Sequence, residues 1–113
     1  MINFEYKNIS VYLKDNFNTN IEAQIKTEIE CAIDYFQKYE KVSCCNYLKE
    51  ILVYNKLPYN NLGCFNNISR ILNLNYNGDK DTFKNTIVHE LTHAKFNIDL
   101  RLKNKCLWDI LIR

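Results

Sequence analysis

The sequence predicts an α+β fold: a long helix packed on a small, mainly antiparallel sheet, then a helix carrying His-Glu-x-x-His and a short C-terminal helix. Three observations predict it. Ile21, Ile25, Ile29, Ala32, Ile33 and Phe36 recur at helical spacing. Three short runs, near Ile9–Leu13, Glu50–Tyr54 and Ile71–Tyr76, are rich in strand-forming residues, and the first and last alternate in polarity. Phe83, Ile87, Leu91 and Ala94 form a second helical stripe, around the only two histidines of the chain, His89 and His93.

Taken in order, Ile9-Ser10-Val11-Tyr12-Leu13 reads as a half-buried strand, and the polar stretch from Asp15 to Asn20 as a loop. Thr19 and Glu22 have the spacing of a capping box, so the long helix is expected over about 20–40 with Thr19 as its N-cap. Its acidic residues Glu22, Glu28 and Glu30 lie mostly off the apolar stripe, as on a solvated face. Glu50–Tyr54 is a strand stopped by Pro58, and Asn60-Asn61-Leu62-Gly63 is a turn leading to a short strand at Cys64 and Phe65. Leu72, Leu74 and Tyr76 share one face of the next strand, which Asn77-Gly78-Asp79 ends. Asp79 or Asp81 caps the His-Glu-x-x-His helix. Asn97 is expected to stop it and Asp99 to cap a further helix. Leu100, Leu102, Leu107, Trp108, Ile110, Leu111 and Ile112 would dock that helix back near Phe96, partly covering the histidine side.

With 113 residues, 47% of them hydrophobic, the chain has the size of one domain, 1–113, with a small core. A net charge of +2 without a basic stripe gives nucleic-acid binding no support. The N-terminus lacks the features of a signal peptide and no apolar run reaches membrane-spanning length, so a cytoplasmic location is expected. There the five cysteines, Cys31, Cys44, Cys45, Cys64 and Cys106, are expected as free thiols.

The chemistry concentrates at His89-Glu90-Leu91-Thr92-His93. Residues four apart on a helix lie about 40° apart around it and roughly 6 Å along it, so two imidazoles can reach one zinc ion. Glu90 is placed to take a proton from a metal-bound water. The bland alternative is a solvated helix face that happens to carry these residues. A catalytic zinc usually has three protein ligands, and the tail offers Asp109, Asp99 and Cys106. Asp109 is the favoured third ligand, reaching the metal if a loop runs to about residue 104. Helix capping is the stronger reading for Asp99, and burial as a small residue for Cys106. A ligand from another chain, or waters completing a two-histidine site, are the remaining options. For an oxyanion donor the candidates are Tyr12, Tyr54, Tyr59 and Tyr76, each better explained by packing.

His89-Glu90-Leu91-Thr92-His93-Ala94 resembles the active-site helix of zincin metallopeptidases, thermolysin-like enzymes among them. The wider stretch, from Leu62-Gly63 through Ile71-Leu72-Asn73-Leu74 to Ala94, resembles the core of SprT-like proteases, where a Gly-led strand and an Ile-x-Leu strand precede the helix. The regulatory ImmA/IrrE-type metallopeptidases have a similar helix. The resemblance implies a minimal zincin-like fold, zinc as cofactor, His89 and His93 as ligands and Glu90 as general base. It also implies that the strand from Leu72 to Tyr76 is the sheet edge that pairs with a peptide or protein substrate. The chain departs from these families in its third ligand: it has no further histidine and no glutamate after Glu90, and Phe96 stands where metzincins have a turn glycine. The expected function is zinc-dependent peptide-bond hydrolysis. Its rivals are a catalytically inactive zincin domain that binds peptides, and the N-terminal part of a longer protein whose missing ligand lies beyond Arg113.

Overall fold

The computed structural model of the chain describes residues 3–55 and 62–111, with side chains in the last helix described as far as Asn104. Its elements are β1 (Asn3–Tyr6), β2 (Ile9–Leu13), α1 (Thr19–Glu40), a single 3₁₀ turn (Cys44–Asn46), β3 (Glu50–Tyr54), β4 (Gly63–Asn66), β5 (Ile71–Asn75) and α2 (Lys80–Leu111). Pro58, Tyr59 and the Asn60-Asn61 turn lie outside the described residues.

The five strands form one sheet in the order β1-β2-β3-β5-β4. Alternation along each strand decides which side is covered. Ile9, Val11 and Leu13 on β2, Ile51 and Val53 on β3, and Leu72 and Leu74 on β5 are fully or almost fully buried, while their neighbours stay half-exposed. The buried set meets Ile25, Ile29, Ile33 and Phe36 of α1 and Phe83, Ile87, Leu91 and Ile98 of α2 in one apolar cluster. Both helices therefore lie on the same face of the sheet, in two layers. No helix among the described residues is long and apolar enough to cross a membrane.

The α+β class and both apolar helical stripes appear as the sequence predicts, but the sheet is mixed. The pairs β1/β2 and β4/β5 are antiparallel, whereas β2/β3 and β3/β5 are parallel. Alternation reports the buried face and is silent on direction. Direction comes from the crossovers: α1 returns the chain to the same end of the sheet before β3, as a strand–helix–strand unit requires. Strand β4 follows β3 in sequence but lies at the margin of the sheet, and β5 comes back between them. So β5 is hydrogen-bonded on both sides, and the expectation that it forms the edge is corrected: β4 is the edge beside α2.

Three local expectations also change. Strand β1 was not foreseen. It pairs Phe4 with Val11 and Tyr6 with Ile9 across Lys7-Asn8, both at positive φ (48° and 67°), the geometry of a two-residue hairpin turn. The N-cap of α1 is Asn18, whose side-chain oxygen accepts from the Ile21 amide at 2.8 Å, and Thr19 is the first helical residue. Finally, α2 runs unbroken for 32 residues. Asn97 does not stop it, Asp99 does not cap a new helix, and no separate C-terminal helix forms. Nothing from Lys80 onward is Gly or Pro, so the backbone meets no breaker.

Cys31, Cys44, Cys45 and Cys64 are unpaired, and burial pushes the Cys44 thiol up to about 12. Gly63 is the close-approach point of the fold. A Cβ there would stand 2.9 Å from Thr86 Cγ2 and 3.3 Å from Leu74 Cδ2, so only a glycine lets β4 pass this near α2. Gly63→Ala is expected to lower stability by about 1–3 kcal/mol. Adding Thr86→Ser, which removes Cγ2 yet keeps the hydroxyl bond to the Thr82 carbonyl, should restore much of that loss in urea unfolding.

Candidate metal centre

The start of α2 is set by Asp79, as the sequence predicts. Its Oδ1 accepts from the amides of Asp81 and Thr82, both at 3.1 Å. These bonds, that to Thr82 first, hold the carboxyl below the usual carboxylate range, and its charge suits a helix N-terminus. From that start the helical period places Phe83, Ile87, Leu91, Ala94 and Ile98 on the buried side. His89 and His93 fall on the opposite side and are exposed.

The two imidazoles come together as expected: their ring centroids are 4.5 Å apart and the planes are inclined by 74°. Glu90, one residue round the helix, is half-buried. With His89 it closes one end of an open groove of about 580 Å³ between α2 and the β4 edge. Leu62 and Gly63 form the strand side of that groove, and Thr82, Asn85 and Thr86 continue the helix side. Thr82, Asn85 and Thr86 were not singled out in the sequence. The signal that finds them is their spacing of seven, four and three residues before His89, which puts them on its face.

Among the described residues no third donor stands beside the histidine pair. Asp99 turns toward the 3₁₀ turn: its Oδ1 accepts from the Tyr47 hydroxyl at 3.0 Å and its Oδ2 from Lys95 Nζ at 2.8 Å. Lys95 also lies 4.0 Å from Glu40 of α1. Asp99 is therefore a clasp between α2 and its neighbours rather than the cap of a new helix. The side chains of Cys106 and Asp109 lie outside the described residues, but the helix backbone continues through both positions. At 1.5 Å per residue it carries them roughly 20 Å and 24 Å along the axis from His93. The loop expected before Asp109 is absent, and the helix continues in its place. Among the described residues no three His, Cys, Asp or Glu side chains are grouped to hold a metal. Two imidazoles are thus adjacent, and their donor chemistry fits zinc, which usually takes three protein ligands at a catalytic site.

Phe96 is 65% exposed, so the histidine side is open rather than partly covered. Three of the four candidate tyrosines are described, and each is placed by packing. Tyr12 and Tyr54 alternate with buried residues and face the side of the sheet without helices. Tyr76 is buried edge-on between Phe17 and Phe83, and its hydroxyl donates to Gln24 at 2.7 Å. Tyr59 lies outside the described residues. No protein-family profile, curated protein or solved structure matches this chain.

Two outcomes follow from this geometry. Zinc titration should give the same affinity for the parent, Cys106→Ala and Asp109→Ala, and a loss of at least about tenfold for His93→Ala. The second concerns pH. Lys95, with Tyr47 assisting, holds the Asp99 carboxyl below its ordinary value near 3.8. The clasp therefore stabilises the fold fully above that ordinary value, and its contribution is lost as pH falls through the lowered one. Asp99→Asn should cost less than about 1 kcal/mol at neutral pH, since both partners are partly solvated, with side chains 26% and 43% exposed. The gap between parent and variant should narrow toward pH 2 in urea melts.

Proposed function

We propose that this chain is a zinc-dependent peptidase domain of minimal zincin-like form. The observation that carries the reading is the placement of the His89/His93 pair and Glu90 beside a groove whose other wall is a free sheet edge, β4. His89 and His93 would hold the ion. Bound zinc supplies a water of lowered pKa and polarises the scissile carbonyl.

The protein's own groups do the remainder. Glu90 lies on the groove side of α2, half-buried, where a carboxylate can take a proton from water and return it to the leaving amine. Among the described residues the outer edge of β4 pairs with no strand, and an extended peptide can add one there. The edge therefore belongs to β4 rather than β5, and Gly63 brings it close enough to α2 for a peptide on it to lie next to Glu90.

A second reading has one specific observation in its favour. The unbroken α2 carries positions 106 and 109 away from the histidines, so a peptide-binding module without turnover would need no change to this geometry. One experiment separates the two. Glu90→Gln should retain the zinc of the parent protein and lose roughly 10²–10⁴-fold in hydrolysis of a fluorogenic peptide mixture. Equal turnover by parent and variant would sink the peptidase reading, and zinc-loaded parent protein without turnover would favour the binding module.

A further inference from the structure

A second cleft opens at the far end of β4 from the histidines. It holds about 500 Å³ and lies between the β4–β5 turn, at Asn67, Ile68 and Arg70, and the α2 positions Ile98, Arg101 and Leu102. Its floor is apolar: Ile98 is 4% exposed, while Leu102 and Ile68 stand out at 57% and 87%. Two arginines, Arg70 and Arg101, are among its lining residues. Arg70 spends one bond on the Asn46 carbonyl at 2.8 Å, leaving most of its five donors. Neither arginine takes part in the ion pairs found among the described residues.

The turn that presents Arg70 and Ile68 is tightly tied. Asn66 Oδ1 accepts from the amides of Ile68 and Ser69, and the Arg70 amide closes onto the Asn66 carbonyl at 2.8 Å. Arg70 itself sits at φ 60°, a left-handed position that glycine or asparagine would occupy with less strain. An arginine is held there, in the wall of a cleft that Arg101 also lines.

The cleft and the His89 groove lie toward opposite ends of β4, both against α2. β4 begins at Gly63 beside the His89 groove and ends at Asn66, one residue before the cleft. α2 runs the same way, and the rise from Glu90 to Arg101 is roughly 16 Å, about five residues of extended chain. We propose that this cleft is a specificity pocket for an acidic side chain, Asp or Glu, on a peptide lying along β4. Arg101 and Arg70 would pair with its carboxylate, while Ile68 and Leu102 would cover its methylenes. The proposal rests on the reading of β4 as the peptide-binding edge and names the substrate class that reading leaves open.

The test uses the full chain carrying Glu90→Gln, so that binding is read without turnover. The probes are two fluorescent, end-blocked peptides of about twelve residues, identical except for Glu or Gln about five residues from the centre. End-blocking leaves the side chain as the only carboxylate that differs. By fluorescence anisotropy at low salt, the Glu peptide should bind about five- to tenfold tighter than its Gln twin, and added salt should shrink that ratio. Arg101→Gln, an exposed helical position, should bring the ratio close to one, as should Arg101→Gln with Arg70→Gln. Lys84→Gln, a basic residue elsewhere on α2, should leave it unchanged. A ratio of one in the parent, no binding of either peptide, or a preference surviving both arginine substitutions overturns the proposal. Hydrolysis is scored separately on the wild-type chain, so acid-selective binding without turnover would count against the peptidase reading alone.

Discussion

One apolar stripe on α2 sets the direction of everything chemical in this protein. Phe83, Ile87, Leu91, Ala94 and Ile98 bury against the sheet and α1. Burying each large member contributes about 1.5–3 kcal/mol, which outweighs any exposed charge pair on the same helix. Once those side chains are inside, the helical period leaves no freedom. His89 and His93 face outward together, Glu90 tilts toward β4, and Lys95 and Asp99 tilt toward Tyr47. The chemistry rides on the opposite side of a helix whose position is decided by packing.

The second constraint is the approach of β4 to that helix. An edge strand is useful to a peptide only if its free side is close to reactive groups, and here closeness is permitted by one missing side chain. Gly63 opposes Thr86, and Thr86 lies one turn before the histidine pair. The groove is therefore a property of two distant sequence positions. Strand β4, the short turn after it and the second half of α2 then share one long margin of the molecule. Both clefts lie along that margin, Glu90 lining one and Arg101 the other.

The third constraint is helix continuity. A chain without glycine or proline beyond Lys80 has no inexpensive way to reverse, and α2 does not reverse. The same continuity exposes Phe96, Leu100 and Leu102, which a folded-back tail would have covered. It also carries the helix backbone at positions 106 and 109 away from the histidine pair. The asymmetry between a well-formed two-imidazole pair and a distant tail is the main fact any account of this site has to meet.

What the sequence by itself determined is local. The stripes of α1 and α2, strands β2, β3 and β5, the Asp79 cap and the juxtaposition of His89 with His93 all follow from periods of two or 3.6 residues and from short-range hydrogen bonding. Residues four apart on a helix meet whatever the rest of the chain does. Tertiary structure decided what periodicity cannot express: the parallel pairing of β2, β3 and β5, the edge position of β4, the capture of Asp99 by Tyr47, and the distance from the histidines to the tail. Each depends on where the chain goes between elements, and alternation or helical spacing carries only the identity of a buried face.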